Sequence, residues 1–270
     1  MNVKNKVAII TGAGSGIGQA VATELAERGA LGIGLIDKSE SVMRVADSIN
    51  DYRKNVGTPM IGDTTDPAFR AKVFDFIQSR YGTPSICIPA AGITRDRLAV
   101  KMDKDTGKSD IYPLDLFHQV IEVNLLAPIY WAMEMIARIA EDRHRKGLKR
   151  WDPAEGIQGT IIFIGSVSSQ GNPGQISYAA TKAGLEGAAA TLAKEAMYHG
   201  IRSAVIHPGF TDTPMVRALG EEYINKHILP HTQLRRLIRP DEIADAIYFL
   251  ICNSAVSGEL WADAGWHPTA

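Results

Sequence analysis

One stretch constrains this chain more than any other. The apolar run Val7–Ile10 leads directly into Thr11-Gly12-Ala13-Gly14-Ser15-Gly16-Ile17-Gly18. The pattern G-x-G-x-x-G does not fit, because its third glycine would fall on Ile17 or Gln19. The spacing that fits is Gly12-x-x-x-Gly16-x-Gly18. Glycines there permit a tight turn, let backbone approach a pyrophosphate, and let the next helix pack on the strand. That helix presents free N–H groups and a positive dipole end to phosphates. Gly12, Ser15, Gly16, Ile17 and Gly18 are therefore candidate dinucleotide-binding residues. The bland alternative is a glycine-rich turn that holds no ligand; its place after the first strand of an alternating chain argues against that.

The alternation continues. Short β-branched or aliphatic runs at Ile33–Ile36, Pro59–Ile61, Ile86–Ile88, Thr160–Ile164 and Ser203–Ile206 are separated by helical patterns at about 17–28, 40–53, 67–80, 114–141 and 178–198. Pro240-Asp241-Glu242 open one more helix, and a last strand is expected near Leu260–Ala262. Such a βα alternation predicts an α/β fold: one Rossmann-like, doubly wound parallel sheet with helices on both faces, spanning residues 1–270 as a single domain. Two segments read as insertions, Asp103–Pro113 and Asp142–Gln158. The second holds Arg143, Arg145, Lys146, Lys149 and Arg150, expected as a solvated helix end.

Composition excludes some classes. A net charge of -1 offers no global field for nucleic acid or an anionic membrane. No apolar run is expected to span a bilayer. Cys87 and Cys252 lack partners at metal spacing and read as free thiols, which fits a reducing compartment and a cytoplasmic protein without a signal peptide.

Asp37 closes the second strand, 19 residues after Gly18. A carboxylate there binds the adenosine ribose hydroxyls of NAD and repels a 2′-phosphate. Lys38 complicates this, since a cation accepts NADP, but the turn carries Ser15 rather than a basic residue. NAD is the expected cofactor, NADP the less favoured one. Asp63 and Thr64 follow the third strand and are placed either at the adenine edge or as a helix N-cap.

Further along come Asn124 in "VNLLAP", Ser166 in "IGSVSS", Tyr178 and Lys182 in "SYAATK", and "HPGFTDT" at 207–213. With the glycine turn, these five motifs, in this order, resemble the short-chain dehydrogenases/reductases over nearly the whole chain. The resemblance implies a hydride-transferring oxidoreductase acting on a CH–OH group, often a homotetramer. It implies Ser166, Tyr178 and Lys182 as catalytic residues, Asn124 as support for a proton relay, and Ala91, Gly92, Pro208, Gly209, Thr211 and Thr213 along the cofactor.

The residue chemistry agrees. An i, i+4 spacing places Tyr178 and Lys182 on one helix face. Bringing a phenol from a pKa of about 10 to about 7 needs roughly 4 kcal/mol, and one cation about 5 Å away supplies roughly 3 kcal/mol at an effective dielectric of 20. Lys182 with the charge of oxidised nicotinamide suffices for Tyr178 to act as general acid/base. Ser166 ends a strand and is suited to hold the substrate oxygen.

Departures are visible. Ser166 to Tyr178 leaves 11 residues where the family usually has 12, and Ser168 and Ser169 lie close by. Pro89-Ala90-Ala91-Gly92 stands where the family has Asn-Ala-Gly, which costs bracing of the sheet. "ITRDRL" at 93–98 is similar to 3-oxoacyl-(acyl carrier protein) reductases and related 3-hydroxyacyl dehydrogenases. Asp37 departs from the NADP preference common among biosynthetic reductases. A small-molecule or acyl-thioester substrate is expected, with a 3-hydroxyacyl thioester, a cyclic alcohol and a hydroxysteroid-like molecule all open. Residues 212–239 are expected to form a lid, with Met215, Leu219, Tyr223, Ile228 and Leu229 as its apolar face. The competing reading is a non-catalytic dinucleotide-binding sensor or scaffold of the same fold.

Overall fold

The computed structural model describes residues 1–266. Its first half alternates strictly: β1 (Val7–Thr11), α1 (Gly16–Glu27), β2 (Gly32–Asp37), α2 (Ser41–Tyr52), β3 (Gly57–Ile61), α3 (Pro67–Tyr81) and β4 (Ile86–Pro89). An antiparallel hairpin, β5 (Val100–Met102) and β6 (Ser109–Ile111), interrupts it. Then follow α4 (Leu114–Ile121), a π-helical turn (Glu122–Leu126), α5 (Ala127–Arg145), β7 (Gly159–Ile164), α6 (Ile176–Glu195) and β8 (Ile201–Pro208). Two short helices, α7 (Pro214–Arg217) and α8 (Glu221–Tyr223), precede α9 (Pro240–Cys252) and β9 (Gly258–Ala262).

Seven strands form one sheet in the order β3-β2-β1-β4-β7-β8-β9, every pair parallel. Successive residues of a strand face opposite sides, and both sides are buried. Ala8 and Ile10 belong to a core with Val21 and Leu25 of α1, Val45 of α2 and Ile247 of α9. Val7 and Ile9 belong to the other, with Phe74 of α3, Trp131 of α5 and Leu185 of α6. That is why the strands read as continuous apolar runs rather than alternating ones. The doubly wound fold expected from the sequence is present.

The order reverses between β1 and β4, and parallel strands all end at the same edge, so the crevice for a ligand lies there. It is widened by a divergence. β4 pairs with β7 only through Ile86–Thr160 and Cys87–Ile161, whereas β4 follows β1 as far as Pro89 opposite Thr11. Pro89 therefore sits past the last β4–β7 pair, where its missing N–H breaks no bond to β7. Thr11 supplies a brace instead: its Oγ1 accepts the Ala91 N–H at 3.1 Å.

Helix starts follow local rules. Asp66 accepts the Ala68 N–H at 2.8 Å at the start of α3, with Pro67 first in the helix. Asp103–Pro113, read as an insertion, spans the hairpin tip and β6. Val100, Met102 and Ile111 are exposed there, although their alternation is that of a buried strand.

The basic cluster differs from expectation in one residue. Arg145 and Lys146 are solvated and pair with Asp142, but Arg143 is buried. Its guanidinium donates to both oxygens of Glu155, at 2.5 and 3.1 Å, and to the Lys149 carbonyl at 3.0 Å. It fastens the 142–158 insertion to α5. The helical run Leu114–Arg145 is also long and apolar enough to cross a bilayer by length and composition, contrary to the sequence reading. Trp131, Met135 and Ile139 of its inner face pack in the protein core.

Candidate active site

The glycine turn joins three segments. Gly12 has a φ of +67°, and a Cβ on it would lie 2.8 Å from the Ala91 backbone. Only glycine both takes that conformation and admits the loop after β4. At Gly14 the bare backbone lets its N–H donate to Asp37 Oδ2 at 2.9 Å. Ser15 is the N-cap of α1 but makes no side-chain cap, and the first turn holds no acidic residue. The leading N–H groups of α1 are thus left for an external anion.

A cleft of about 900 Å³ runs from the glycine turn and Asp37 to Tyr178 and Lys182. Ser15, Ile17, Asp63, Thr64, Ala91, Gly92 and Thr213 also line it. At its first end Asp37 Oδ1 accepts the Ser39 N–H at 2.9 Å. Lys38 also lines the cleft and pairs there with Asp63 at 2.9 Å. The hydrogen bonds of Thr65 and that lysine hold the Asp63 carboxyl down to about 2. Asp63 is not the N-cap of α3, which is Asp66; it closes its own turn through Thr65. The Thr64 carbonyl accepts Trp131 Nε1–H at 2.9 Å.

At the other end, β7 delivers Ser166 in extended backbone at the start of a 3-10 turn, where its Oγ accepts the Ser168 N–H at 3.1 Å. Ser166 also lies close enough to the Tyr178 phenol to act on its pKa, lowering it against the effect of burial. Ser168 is committed elsewhere: its Oγ donates to Gln175 Oε1 at 2.8 Å. The loop that is one residue short therefore still brings Ser166, and not its neighbours, to the phenol.

Tyr178 and Lys182 stand on one face of α6, with Nζ 5.3 Å from the ring centre. The ammonium points at the Ile164 carbonyl, 2.7 Å away. Burial pushes the Tyr178 phenol up to about 12, opposed by the Ser166 hydroxyl and aided by the Asp96 carboxylate. Burial also lowers Lys182 to about 8. The expected depression of the phenol by Lys182 is thus not produced by the chain alone. The lysine is itself desolvated and bound to a carbonyl.

Asn124 does not reach the cleft surface. It is fully buried in the π turn, where its Oδ1 accepts the Ile93 N–H at 2.9 Å and its Nδ2 donates to the Ile93 carbonyl at 2.8 Å. Asn disfavours helix interiors because its amide competes for backbone groups, and here that competition is used on another segment.

A smaller cavity of about 130 Å³ meets the cleft at Tyr178 and contains Ser166, Pro208, Gly209 and Thr211. Met215 and Leu219 also line it, and Met215 is shared with the cleft. Of the other apolar residues expected in the lid, Ile228 packs inward with Ile224 and Leu237, Leu229 rests against that cluster, and Tyr223 is exposed. Arg217 pairs with Asp212, and Arg236 with Glu242. Thr213 caps α7 through the Val216 N–H at 3.4 Å.

Sequence reasoning missed the Asp96–Gln175 pair in the smaller cavity, where Gln175 Nε2 donates to Asp96 at 2.8 Å. The similarity of residues 93–98 to acyl reductases was the available signal. It also missed Asn124's partner, which no spacing announces.

The glycine turn, the uncapped α1 and the carboxylate of Asp37 at one end of the cleft, with a phenol, a hydroxyl and an amine at the other, fit a dinucleotide whose reactive ring lies beside Tyr178. Comparison with known proteins agrees. A family model described as short chain dehydrogenase matches residues 6–224. The chain is 37% identical over 262 residues to the 3-oxoacyl-[acyl-carrier-protein] reductase FabG of Escherichia coli K12, covering 96% of both. It is 35% identical over 257 residues to the Pseudomonas aeruginosa protein of the same name, covering 94% of this chain and 93% of that one. A solved structure described as ribose-5-phosphate isomerase from Brucella melitensis superposes with a TM-score of 0.81 at 25% identity, over 98% of this chain and 93% of that one. The sheet, the ordered motifs and these matches lead to one conclusion: the chain belongs to the short chain dehydrogenase family.

Proposed function

We propose that this protein is an NAD(H)-dependent oxidoreductase that interconverts a ketone and a secondary alcohol, with a 3-oxoacyl or 3-hydroxyacyl thioester as its substrate class. The observation that carries the reading is the Tyr178 hydroxyl. It neighbours Ser166 and Lys182 and is set where the long cleft meets a cavity lined by Met215 and Leu219.

The residues divide the work. Gly12, Gly16, Gly18 and the free N–H groups of α1 hold a pyrophosphate, and Asp37 accepts from the adenosine ribose. Ala91, Gly92, Pro208, Gly209, Thr211 and Thr213 flank the far half. When bound, the nicotinamide gives or takes the hydride. In reduction, Tyr178 donates its proton to the carbonyl oxygen while Ser166 steadies that oxygen, and the resulting phenolate is stabilised by Ser166 and Lys182 until solvent reprotonates it.

Asp37 supports NAD over NADP. A carboxylate in this position beside the glycine turn repels a 2′-phosphate, and the neighbouring Lys38 is paired with Asp63. The acyl-thioester reading rests on residues 93–98 and on the activity named for the relatives. The apolar side chains of Met215 and Leu219 suit an acyl chain, with residues 212–239 as a lid, and a homotetramer is the assembly this family implies.

The test is turnover by the purified protein with NADH and NADPH against 3-oxoacyl thioesters and simple ketones, and with NAD and NADP against the corresponding alcohols. Faster reduction of 3-oxoacyl thioesters with NADH is expected. Cofactor binding without turnover on any member would favour the sensor reading instead. A preference for NADP(H) would overturn the role given to Asp37.

A further inference from the structure

Behind the catalytic serine, β8 carries a completely buried imidazole that the redox chemistry does not use. The His207 ring stacks flat on Trp261 of β9, with centroids 4.1 Å apart at 11°. A Cβ on Gly165 would lie 2.6 Å from Nδ1, so the bare backbone gives the ring its room. Nδ1 lies 3.2 Å from the Ser166 carbonyl oxygen and 3.3 Å from the Ser166 nitrogen. The opposite nitrogen, Nε2, is buried without a hydrogen-bond partner. It faces two carboxylates from different elements: Glu259 Oε2 of β9 at 3.3 Å and Glu186 Oε1 of α6 at 3.8 Å.

We propose that His207 Nε2, Glu186 and Glu259 form a divalent-metal site that takes Zn²⁺. One atom from each residue lies within 4.8 Å of the others. Zinc bonds to imidazole nitrogen and carboxylate oxygen are about 2.0–2.2 Å, so tetrahedral ligands stand about 3.4 Å apart. The two separations from Nε2 lie close to that value. A simple ion pair accounts for the arrangement less well, because Nε2 makes no hydrogen bond to either oxygen. A cation also relieves the repulsion between two carboxylates converging on one atom. Imidazole in the set points to zinc rather than calcium or magnesium, which favour all-oxygen shells. The glutamates are partly exposed, at 30% and 42%, which leaves an entry path and a fourth position for water.

The site acts on the fold in two ways. It ties α6, which carries Tyr178 and Lys182, to the β8–β9 edge of the sheet. It also fixes a tautomer. With Nε2 on the metal, the proton resides on Nδ1, which then donates to the Ser166 carbonyl at 3.2 Å in place of accepting the Ser166 N–H at 3.3 Å. The metal thereby secures the segment that presents the Ser166 hydroxyl, without touching substrate.

The experiment is calorimetric titration of ZnCl2 into chelator-treated, full-length protein, with metal content measured after gel filtration and MgCl2 titrated in parallel. Expected are one zinc per chain, weaker binding of magnesium, and at least tenfold weaker zinc binding in both Glu186→Gln and Glu259→Gln. Zinc should raise the unfolding temperature of the parent protein and raise it less in either variant. No saturable zinc binding, or parent-like binding by both variants, would overturn the site. Neither readout needs a substrate, so the result stands apart from the redox assignment.

Discussion

Asn124 grips Ile93 at both of its backbone polar atoms, donating to the carbonyl at 2.8 Å and accepting the N–H at 2.9 Å. The loop after β4, which brings Ala91, Gly92 and Asp96 to the cleft, is thus pinned to the π turn between α4 and α5. Asn124 thereby holds a loop that lines the cleft.

Replacing Asn124 with Ala leaves a buried carbonyl and N–H unpaired, a loss of about 1–3 kcal/mol. At about 2–4 °C per kcal/mol for a chain of this size, thermal unfolding should shift down by several degrees. Turnover should fall as well, because the loop loses its anchor. An unchanged melting temperature with unchanged kcat/KM would remove the clamp from the account.

Tyr178→Phe keeps the ring and deletes the proton. Loss of general acid–base help is worth about 10²–10⁴-fold, so kcat should fall by that order while dinucleotide affinity, measured by fluorescence titration, stays within a few-fold of the parent. Parent-like turnover would end the catalytic assignment.

Lys182 gives stability a pH signature. Its folded-state pKa, about 8, lies below the ordinary 10.5. Between those values the unfolded chain binds more protons, so stability should be fullest above pH 10.5 and decline as pH falls towards 8. At 1.36 kcal/mol per unit, the swing is up to about 3 kcal/mol. Tyr178 acts oppositely and only above pH 10, where its raised pKa makes stability fall as pH rises. Urea unfolding from pH 7.5 to 10 should therefore show a rise in the parent and a flatter line in Lys182→Met. Parallel curves would show that Lys182 is not desolvated as described.

Asp37→Asn tests cofactor choice. Like charges about 5 Å apart at an effective dielectric of 20 repel by about 3 kcal/mol. Removing the carboxylate should raise kcat/KM for NADP relative to NAD by at least tenfold. The amide oxygen can accept only one of the two N–H groups that the carboxylate holds, Gly14 or Ser39, so a modest loss of stability should accompany the change. A constant ratio would mean that Asp37 does not read the ribose.

Glu155→Ala strands the buried Arg143 guanidinium. Glu155 itself is exposed and the Lys149 carbonyl still accepts from Arg143, so the expected effect is a partial loss of stability. Chemical denaturation should register the loss, while activity per folded molecule is retained, since neither residue lines the cleft.

Much of this was legible in the residues. Strand and helix positions followed from apolar runs and glycine punctuation because a sheet buried on both faces leaves no polar alternation to confuse them. The motifs that meet at the cleft are short and local, so spacing revealed them. What escaped was set by tertiary contact. Val100, Met102 and Ile111 carry a strand pattern but are exposed on a hairpin outside the sheet. Arg143 looked like its solvated neighbours until Glu155, 12 residues on, drew it inside. The direction of Lys182 depends on the carbonyl of Ile164, and nothing in "SYAATK" encodes that partner.

The reversal of strand order between β1 and β4 also divides the molecule's labour. Residues up to Thr65 line the cleft around the glycine turn and Asp37, and most of those from Ala90 onward line it around Tyr178 and Lys182. A lineage can therefore revise the 93–98 loop or the 212–239 segment and acquire a new substrate while its cofactor half stays untouched. The fold behaves as a fixed socket joined to an exchangeable tool, and the seam runs between β1 and β4, where the strand order reverses.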